Sequence, residues 1–356
     1  MLDIVVAIVS CLLVGVVLWD AFEVIVLPRR VNRDLRIASL FYQATWFPWS
    51  LIARRLQGNT RETFLGAYAP LSLIVLLGLW ALLLVVGFAG LHWSIGTVVD
   101  QPGNSSDFGT DLYLSASSFF TLGLGDVTPD SSISRFVTVL EGGTGFGFLA
   151  LVISYVPVLY QAFSRREVNV SLLDSRAGSP PSAGEFLLRL GRKGTTEQLR
   201  DHLEDWERWS AELLESHLSY PILTLYRSQH EHQSWLAALT MVLDVCALIM
   251  SGFVEYPAPQ AKLTFAITRH AAVDIAQIFG ADPHDRYVDR LPPEDFARLK
   301  DLVGQNAGPD AEGRLAEMRM MYEPYVSAIS EYLLMPLPSW LPSERPDDWQ
   351  STAWSD

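Results

Sequence analysis

Three long apolar segments constrain the fold of this chain more than any other feature. They occupy residues 4–27, 64–93 and 133–163. A helix needs ~20 apolar residues to cross a ~30 Å hydrocarbon layer, and each segment reaches that length. Because a chain in lipid must satisfy its backbone hydrogen bonds internally, the segments predict three transmembrane helices. The first is expected to be a span rather than a cleaved signal peptide, since the residues before it carry no positive charge.

The charges between the apolar segments predict an orientation. Residues 28–63 contain seven arginines, whereas residues 94–134 contain no Lys or Arg and five aspartates. Arg165 and Arg166 follow the third segment. Since positive residues accumulate on the cytoplasmic side, we expect the N-terminus outside and the C-terminus in the cytoplasm. The expected location is the plasma (inner) membrane, crossed several times.

The basic segment mixes arginine with aromatic residues between positions 35 and 56. This composition predicts a helix in the membrane interface, as a surface connector or as an element coupled to gating. Pro48 is expected to break or kink it.

Between the second and third segments, a short helix is predicted over residues 111–120, with Asp111 near its positive end. A segment rich in alternating glycine follows: Thr121, Leu122, Gly123, Leu124, Gly125 and Asp126. Non-helical backbone at membrane depth must be buried in protein or line a water-filled cavity. The pattern therefore predicts a re-entrant helix and loop.

This arrangement resembles the pore domain of the potassium-channel superfamily, of the prokaryotic single-pore-loop type that is like the two-pore-domain channels. Its filter reads T-x-G-[YFL]-G-[DN] between a pore helix and an inner helix, and residues 121–126 match every position. The resemblance covers residues 64–166. It implies an all-α membrane protein with three transmembrane helices, a re-entrant pore helix and a filter, followed here by a cytoplasmic helical domain of no recognised family.

The resemblance implies that residues 121–124 supply carbonyl ligands to dehydrated K⁺, with the Thr121 hydroxyl at the inner end. Consecutive carbonyls can face one axis if alternate residues take left-handed backbone conformations, which Gly123 and Gly125 allow. Asp126 resembles the aspartate at the outer mouth, where negative charge concentrates cations. Leu124 replaces the commoner tyrosine, which removes a hydroxyl that bonds the surrounding pore helices.

Ser117 occupies the pore-helix position at which some family members place a carboxylate that pairs with the outer aspartate. A looser network behind the filter is therefore expected.

The third segment offers gating-hinge candidates at Gly142, Gly143, Gly145, Gly147 and Pro157. Glycine weakens a helix by about 1 kcal/mol relative to alanine, so this run can bend. Close helix packing through small residues is the alternative, and both can hold together.

Acidic residues at membrane depth are functional candidates. Asp20 and Glu23 are expected to snorkel to the interface or to pair with Arg29 or Arg30, while the role of Glu141 stays open.

The chain is predicted to contain five regions: a first helix with the basic segment (1–63), the pore domain (64–166), a linker (167–182), a helical cytoplasmic domain (183–335) and an irregular tail (336–356). Within the cytoplasmic domain, helical patterns cover residues 195–217, 230–253, 261–279, 293–302 and 312–334. Residues 235–253 are apolar enough to suggest a fourth transmembrane helix, but Asp244 at the middle of the run favours a buried core helix.

Composition and motifs narrow the function. A net charge of -14 argues against a nucleic-acid partner. Two candidate metal groups, His230 with Glu231 and His232 and Arg269 with His270 and Asp274, lack the spacing of a metal site. No metal or cofactor beyond permeant K⁺ and no enzymatic activity is expected, because no nucleophile-and-base motif is present.

The sequence thus predicts a homotetrameric cation channel. Its expected partners are membrane lipid and an unknown cytoplasmic regulator of the C-terminal domain. Potassium selectivity is expected from the resemblance. A poorly selective cation channel is the first alternative, because of Leu124. A membrane-tethered signalling or enzymatic domain with a degenerate pore is the alternative of another class.

Overall fold

The computed structural model describes residues 1–27, 36–97, 107–193, 196–229, 233–254, 256, 258–281, 283, 288–304, 307–308 and 310–342. Helices account for the regular structure, and the described residues contain no β-strand. The all-α class is confirmed. The chain divides into two compact units, residues 1–160 and 161–356.

Five helices begin in the first unit: α1 (Leu2–Ile25), α2 (Ile37–Ala53), α3 (Gly58–Ser94), α4 (Phe108–Phe119) and α5 (Ser132–Ala177). α1, α3 and α5 are long and apolar enough to cross a membrane, which confirms the three predicted spans. α5 continues to Ala177, so the segment predicted as a linker is helical up to that residue.

α1 and α3 pack closely because α3 presents glycines to α1. A Cβ at Gly90 would collide with the Ser10 side chain, and one at Gly87 would lie 2.7 Å from Val14 Cγ2. In lipid, where the hydrophobic effect does not join helices, such small residues allow backbones to approach and gain dispersion contacts.

α2 is one continuous helix, although Pro48 lies inside it. The helix does not break at Pro48, and a kink there stays a prediction. Aromatic packing on α3 compensates for the lost backbone donor, since Trp49 stacks on Phe64 with ring centroids 4.3 Å apart. Trp46 meets Tyr68 edge-on at 4.8 Å.

The second unit contains α6 (Ala183–Lys193), α7 (Thr196–Ser219), a 3-10 helix (Pro221–Leu225), α8 (Trp235–Ser251), α9 (Pro259–Ile278), α10 (Pro293–Val303), α11 (Ala311–Met320) and α12 (Glu323–Leu333). α6 was not predicted. The pattern over 312–334 forms two helices, because the chain turns at Met321 and Tyr322. Residues 336–342, the described part of the predicted tail, form no helix, and residues 343–356 lie outside the described residues.

α8 forms the core of the second unit. Its side chains are almost all buried within the unit, as expected for a core helix rather than a fourth span. Ser234 caps its start by accepting a hydrogen bond from Ala237 N at 2.9 Å. Gly252 ends it in the left-handed conformation, φ +78°.

Candidate ion-conduction site

The re-entrant helix α4 begins earlier than predicted, because Asp107 caps it. The Asp107 carboxylate accepts hydrogen bonds from Thr110 N at 2.9 Å and from Thr110 Oγ1 at 2.8 Å. These bonds hold the pKa of Asp107 below its ordinary value. Asp111, which the sequence placed at the helix start, lies in the first turn and is buried.

The chain leaves α4 at Phe119 and turns directly into residues 121–126. Leu122 N donates to the Ser117 carbonyl at 2.8 Å, and Thr121 N donates to the Ser118 carbonyl at 3.0 Å. The last turn of α4 thus fixes where the glycine-rich segment starts.

Left-handed backbone alternates along this segment. The φ angles are +56° at Thr121, +56° at Gly123 and +78° at Gly125. Left-handed conformations at Gly123 and Gly125 were expected from their lack of a Cβ. At Thr121 the same conformation was not expected, because a β-branched residue adopts it only when its surroundings impose the strain.

Residues 121–126 are exposed in the single chain. Leu122 and Leu124 each expose 62% of their surface. Neighbouring exposed apolar side chains of this kind are typical of a surface that contacts lipid or another subunit.

Asp126 is held by a residue that sequence reasoning missed. Tyr113 on α4 donates its hydroxyl to Asp126 Oδ2 at 2.8 Å. Tyr113 stands four residues before Ser117 and therefore lies on the same face of the helix, one turn earlier. This spacing could have predicted that Tyr113 also faces Asp126. Ser117 instead contributes its main-chain carbonyl to the turn after α4.

The glycines of α5 differ in their surroundings. A Cβ at Gly145 would collide with the Phe119 carbonyl, and one at Gly142 would lie 3.6 Å from the Ser118 carbonyl oxygen. Around Gly143 and Gly147 nothing described lies within 4 Å. Close packing therefore explains Gly145, while Gly143 and Gly147 remain hinge candidates.

Pro157 lies inside α5, which continues past it. It remains a hinge candidate.

Glu141 lies behind the pore loop with no exposed surface. It contacts Ser115 of α4 and His92 of α3. The sequence left this residue open, and neither His92 nor Ser115 was singled out, because the three come together only when α3, α4 and α5 pack.

Asp20 and Glu23 are buried within the first unit, so the expectation that they snorkel is wrong, while pairing with Arg29 or Arg30 stays a prediction. Asp20 Oδ2 accepts from Trp80 Nε1 at 2.9 Å and from Ala38 N at 3.1 Å. Trp19 Nε1 donates to Glu23 at 2.7 Å. Donors from α2 and α3 thus compensate for the burial of the Asp20 carboxylate. Arg29 and Arg30 lie outside the described residues.

The two candidate metal groups gain no support. His230, Glu231 and His232 lie outside the described residues. His270 and Asp274 approach each other at 3.3 Å on α9, with the His270 side chain 61% exposed. Among the residues that the structure describes, no group of three or more potential ligands could hold a metal ion.

A buried charged network holds the second unit together. Asp244 of α8 accepts from Arg290 Nη1 at 3.0 Å and from the Tyr322 hydroxyl at 2.6 Å. Arg290 also bonds Glu323 at 3.2 Å and lies over the Trp340 ring. Asp244 thus bonds Arg290 and Tyr322, and Arg290 in turn contacts Glu323 and Trp340, so that the network links α8 to the start of α12 and to the segment after α12.

His217 is the second buried polar group of note in this unit. Burial, together with the nearby Arg166, lowers its pKa from 6.5 to about 3. Its Nδ1 donates to the Leu213 carbonyl at 2.7 Å, and Nε2 lies 3.4 Å from Arg166 Nη1. A neutral imidazole with Nε2 as acceptor satisfies both contacts.

Comparison with known proteins identifies the class of the pore region. Residues 74–161 match the family model described as "Ion channel", a range that includes α4, residues 121–126 and the first part of α5. The predicted ion-channel domain is confirmed for these residues, and the chain is a membrane protein. An ion-channel domain favours a protein that is not an enzyme.

A curated relative is the "Uncharacterized membrane protein YdjJ" of Bacillus subtilis (strain 168). It is 23% identical over 223 residues, which cover 58% of this chain and 60% of the relative. The chain thus matches less than two thirds of that protein's length. No solved structure matches.

Proposed function

We propose that this protein is a potassium-selective channel that assembles as a homotetramer and conducts through residues 121–126. The supporting observation is the alternation of left-handed residues at Thr121, Gly123 and Gly125 within an ion-channel domain. Such an alternation allows consecutive carbonyls to face one side, as a ladder of ligands for dehydrated K⁺ requires.

The exposure of the segment supports assembly. One chain contributes one strand of carbonyls, whereas a cage of oxygens around an ion needs several strands about an axis, four in potassium channels. Leu122 and Leu124 expose most of their surface in the single chain. Neighbouring copies of α4 would cover them.

In this proposal Asp126 concentrates cations at the outer mouth, and the bond from Tyr113 fixes its position. The N-terminus lies outside and the C-terminus in the cytoplasm of the plasma membrane. Lipid surrounds the exposed faces of α1, α3 and α5, and the second unit serves as a site for a cytoplasmic regulator.

The test is cation flux through the purified full-length protein in liposomes. We expect rubidium and potassium uptake in the wild type and its loss in Gly123→Asp, where a side chain enters the row of carbonyls. Gly58→Asp is the matched control, because Gly58 has φ +57° and open space like Gly123 but stands at the start of α3. Equal loss of flux in both variants, or no flux in the wild type, would contradict the proposal.

Selectivity is measured separately from conduction. Under a sodium/potassium gradient we expect a reversal potential close to that of potassium. Equal permeability to both ions identifies instead a poorly selective cation channel, for which the replacement of tyrosine by Leu124 is the motivating feature. Absence of flux together with an activity of the second unit would favour a membrane-tethered domain with a degenerate pore.

A further inference from the structure

A buried polar cluster joins three helices behind residues 121–126, the proposed filter segment. His92 of α3, Ser115 of α4 and Glu141 of α5 all have 0% exposed surface. Ser115 Oγ contacts Glu141 Oε1 and lies 2.7 Å from the Val85 carbonyl oxygen. His92 Nε2 lies 3.4 Å from Glu141 Oε2. Neither of these last two atoms makes a hydrogen bond within the described part of the chain.

The hydrogens available to Ser115 limit which contacts can form together. A serine hydroxyl donates one hydrogen. If Glu141 is ionised, the carboxylate and the Val85 carbonyl are both acceptors, so only one of the two contacts is a hydrogen bond. If Glu141 is protonated, its O–H donates to Ser115 Oγ, and Ser115 donates to Val85. Only with Glu141 protonated can Ser115 of α4 form hydrogen bonds to α3, through Val85, and to α5, through Glu141, at the same time.

The same count applied to His92 indicates a second proton. The Thr97 hydroxyl has one hydrogen and three neighbours that can accept it: the His92 carbonyl at 3.0 Å, His92 Nδ1 at 3.2 Å and Ser134 Oγ at 3.3 Å. When the hydrogen goes to the carbonyl or to Ser134, Nδ1 is the donor in its contact with Thr97 Oγ1. In a neutral ring of this tautomer, Nε2 carries no hydrogen. Two hydrogen-bond acceptors, Nε2 and Glu141 Oε2, then face each other without a hydrogen between them. A protonated ring instead directs an N–H at that oxygen.

The charged groups around the pair allow this positive ring. Asp111 of α4 is 2% exposed and interacts electrostatically with His92, while Asp107 acts on Asp111 from the exposed cap. Within the described residues, His92, Asp111 and Glu141 are the titratable groups that the three helices bring together here. An ionised Asp111 balances the charge of a protonated His92.

We propose that His92 and Glu141 form a proton-binding site whose protonation holds α4, and with it the filter segment, in the conducting arrangement. Glu141 is a positioning residue that acts through Ser115 and α4, not a ligand of the permeant ion. Since α4 ends at Phe119, two residues before Thr121, loss of the contacts to α3 and α5 would free the helix whose last carbonyls fix the start of residues 121–126. This inference rests on the proposed channel function.

Flux through the full-length protein in liposomes tests the site, with the pH varied on both sides together so that insertion orientation does not matter. Between about pH 8 and pH 5, the range in which histidine ordinarily titrates, wild-type flux should rise. We expect a rise of about tenfold, the factor given by one unit of pKa difference between two conformations. Glu141→Gln and His92→Gln should each flatten this profile, whereas Glu141→Asp should retain a pH dependence.

The control is Asp130→Asn, which removes an exposed carboxylate, 71% accessible, from the same outer segment and should leave the profile unchanged. A purely structural role for Glu141 would lower flux equally at every pH. Profiles that run parallel in wild type, Glu141→Gln and His92→Gln would overturn the proposal.

Infrared spectroscopy gives a readout that does not depend on conduction or on the folding of one variant. The wild type should show the carbonyl band of a protonated carboxylic acid, which shifts in Glu141→Asp and disappears on Glu141→Gln substitution. If no such band titrates with pH, the proton site is refuted even when flux is normal. If the band titrates but no ion passes at any pH, the channel function fails and the proton site stands.

Discussion

The contact between Gly145 and the end of α4 allows a sharp test of how the inner helix supports the filter segment. In Gly145→Ala, the added Cβ would collide with the Phe119 carbonyl oxygen and would lie 2.7 Å from the carbonyl carbon. Real Cβ atoms do not approach backbone so closely, and the atoms in the way are main chain, which cannot rotate aside. Either α4 or α5 must move.

The magnitude follows from two opposing terms. Alanine favours a helix over glycine by about 1 kcal/mol, whereas overpacking a tight contact costs about 1–3 kcal/mol or more. Because the Cβ would collide with main-chain atoms, the cost lies at the upper end of that range, and Gly145→Ala should destabilise the protein by about 2 kcal/mol once the helix gain is subtracted. A Cβ at Gly143 would meet nothing within 4 Å, so Gly143→Ala should gain helix stability without an overpacking cost. The two substitutions should therefore change stability in opposite directions.

Thermal unfolding of the purified protein in detergent measures the stability difference, and rubidium uptake into liposomes measures the pore. We expect a lower melting temperature and reduced uptake for Gly145→Ala, because Phe119 stands two residues before Thr121. Gly143→Ala should melt at or above the wild-type temperature. If both variants melt together and conduct equally, Gly145 is not the contact that fixes the end of α4.

Three further substitutions test other contacts. Tyr113→Phe removes the bond to Asp126 and should reduce the preference for potassium over sodium in flux measurements, while folding, followed by size-exclusion chromatography, is unchanged. Asp244→Asn removes one of the two carboxylates that pair with the buried Arg290, leaving Glu323, and should cost about 3 kcal/mol of stability, measured by thermal unfolding of the full chain. Because burial lowers the pKa of His217 from 6.5 to about 3, the unfolded chain binds more protons than the folded one between these values. Stability is then complete above the ordinary pKa and falls as the pH drops toward 3, by at most about 1.4 kcal/mol per pH unit, and His217→Gln should remove this part of the slope.

The sequence predicted the membrane helices and the filter segment because both depend on local properties. The length of an apolar run is enough to predict a membrane-spanning helix, and a glycine marks a position at which the backbone can become left-handed. The observed conformations at Gly123 and Gly125 follow from that chemistry. The same local rules failed at Pro48, where packing of Trp49 on Phe64 outweighs a lost donor.

Residues that act across helices could not be predicted in this way. Gly145 and Gly143 are alike in sequence, yet only one faces the Phe119 carbonyl, because the crossing of α5 with α4 selects it. Asp20 was expected at the interface but lies buried, since Trp80, sixty positions away, reaches it with a donor.

The amino-acid sequence by itself determined that this chain has apolar helices long enough to cross a membrane and a glycine-rich segment that can take left-handed backbone, because hydrophobic length and backbone freedom belong to individual segments. Only the tertiary structure decided that His92, Ser115 and Glu141 meet in one buried cluster. Their positions in the chain carry no periodic signal, and the contact arises when three helices exclude water from the space between them.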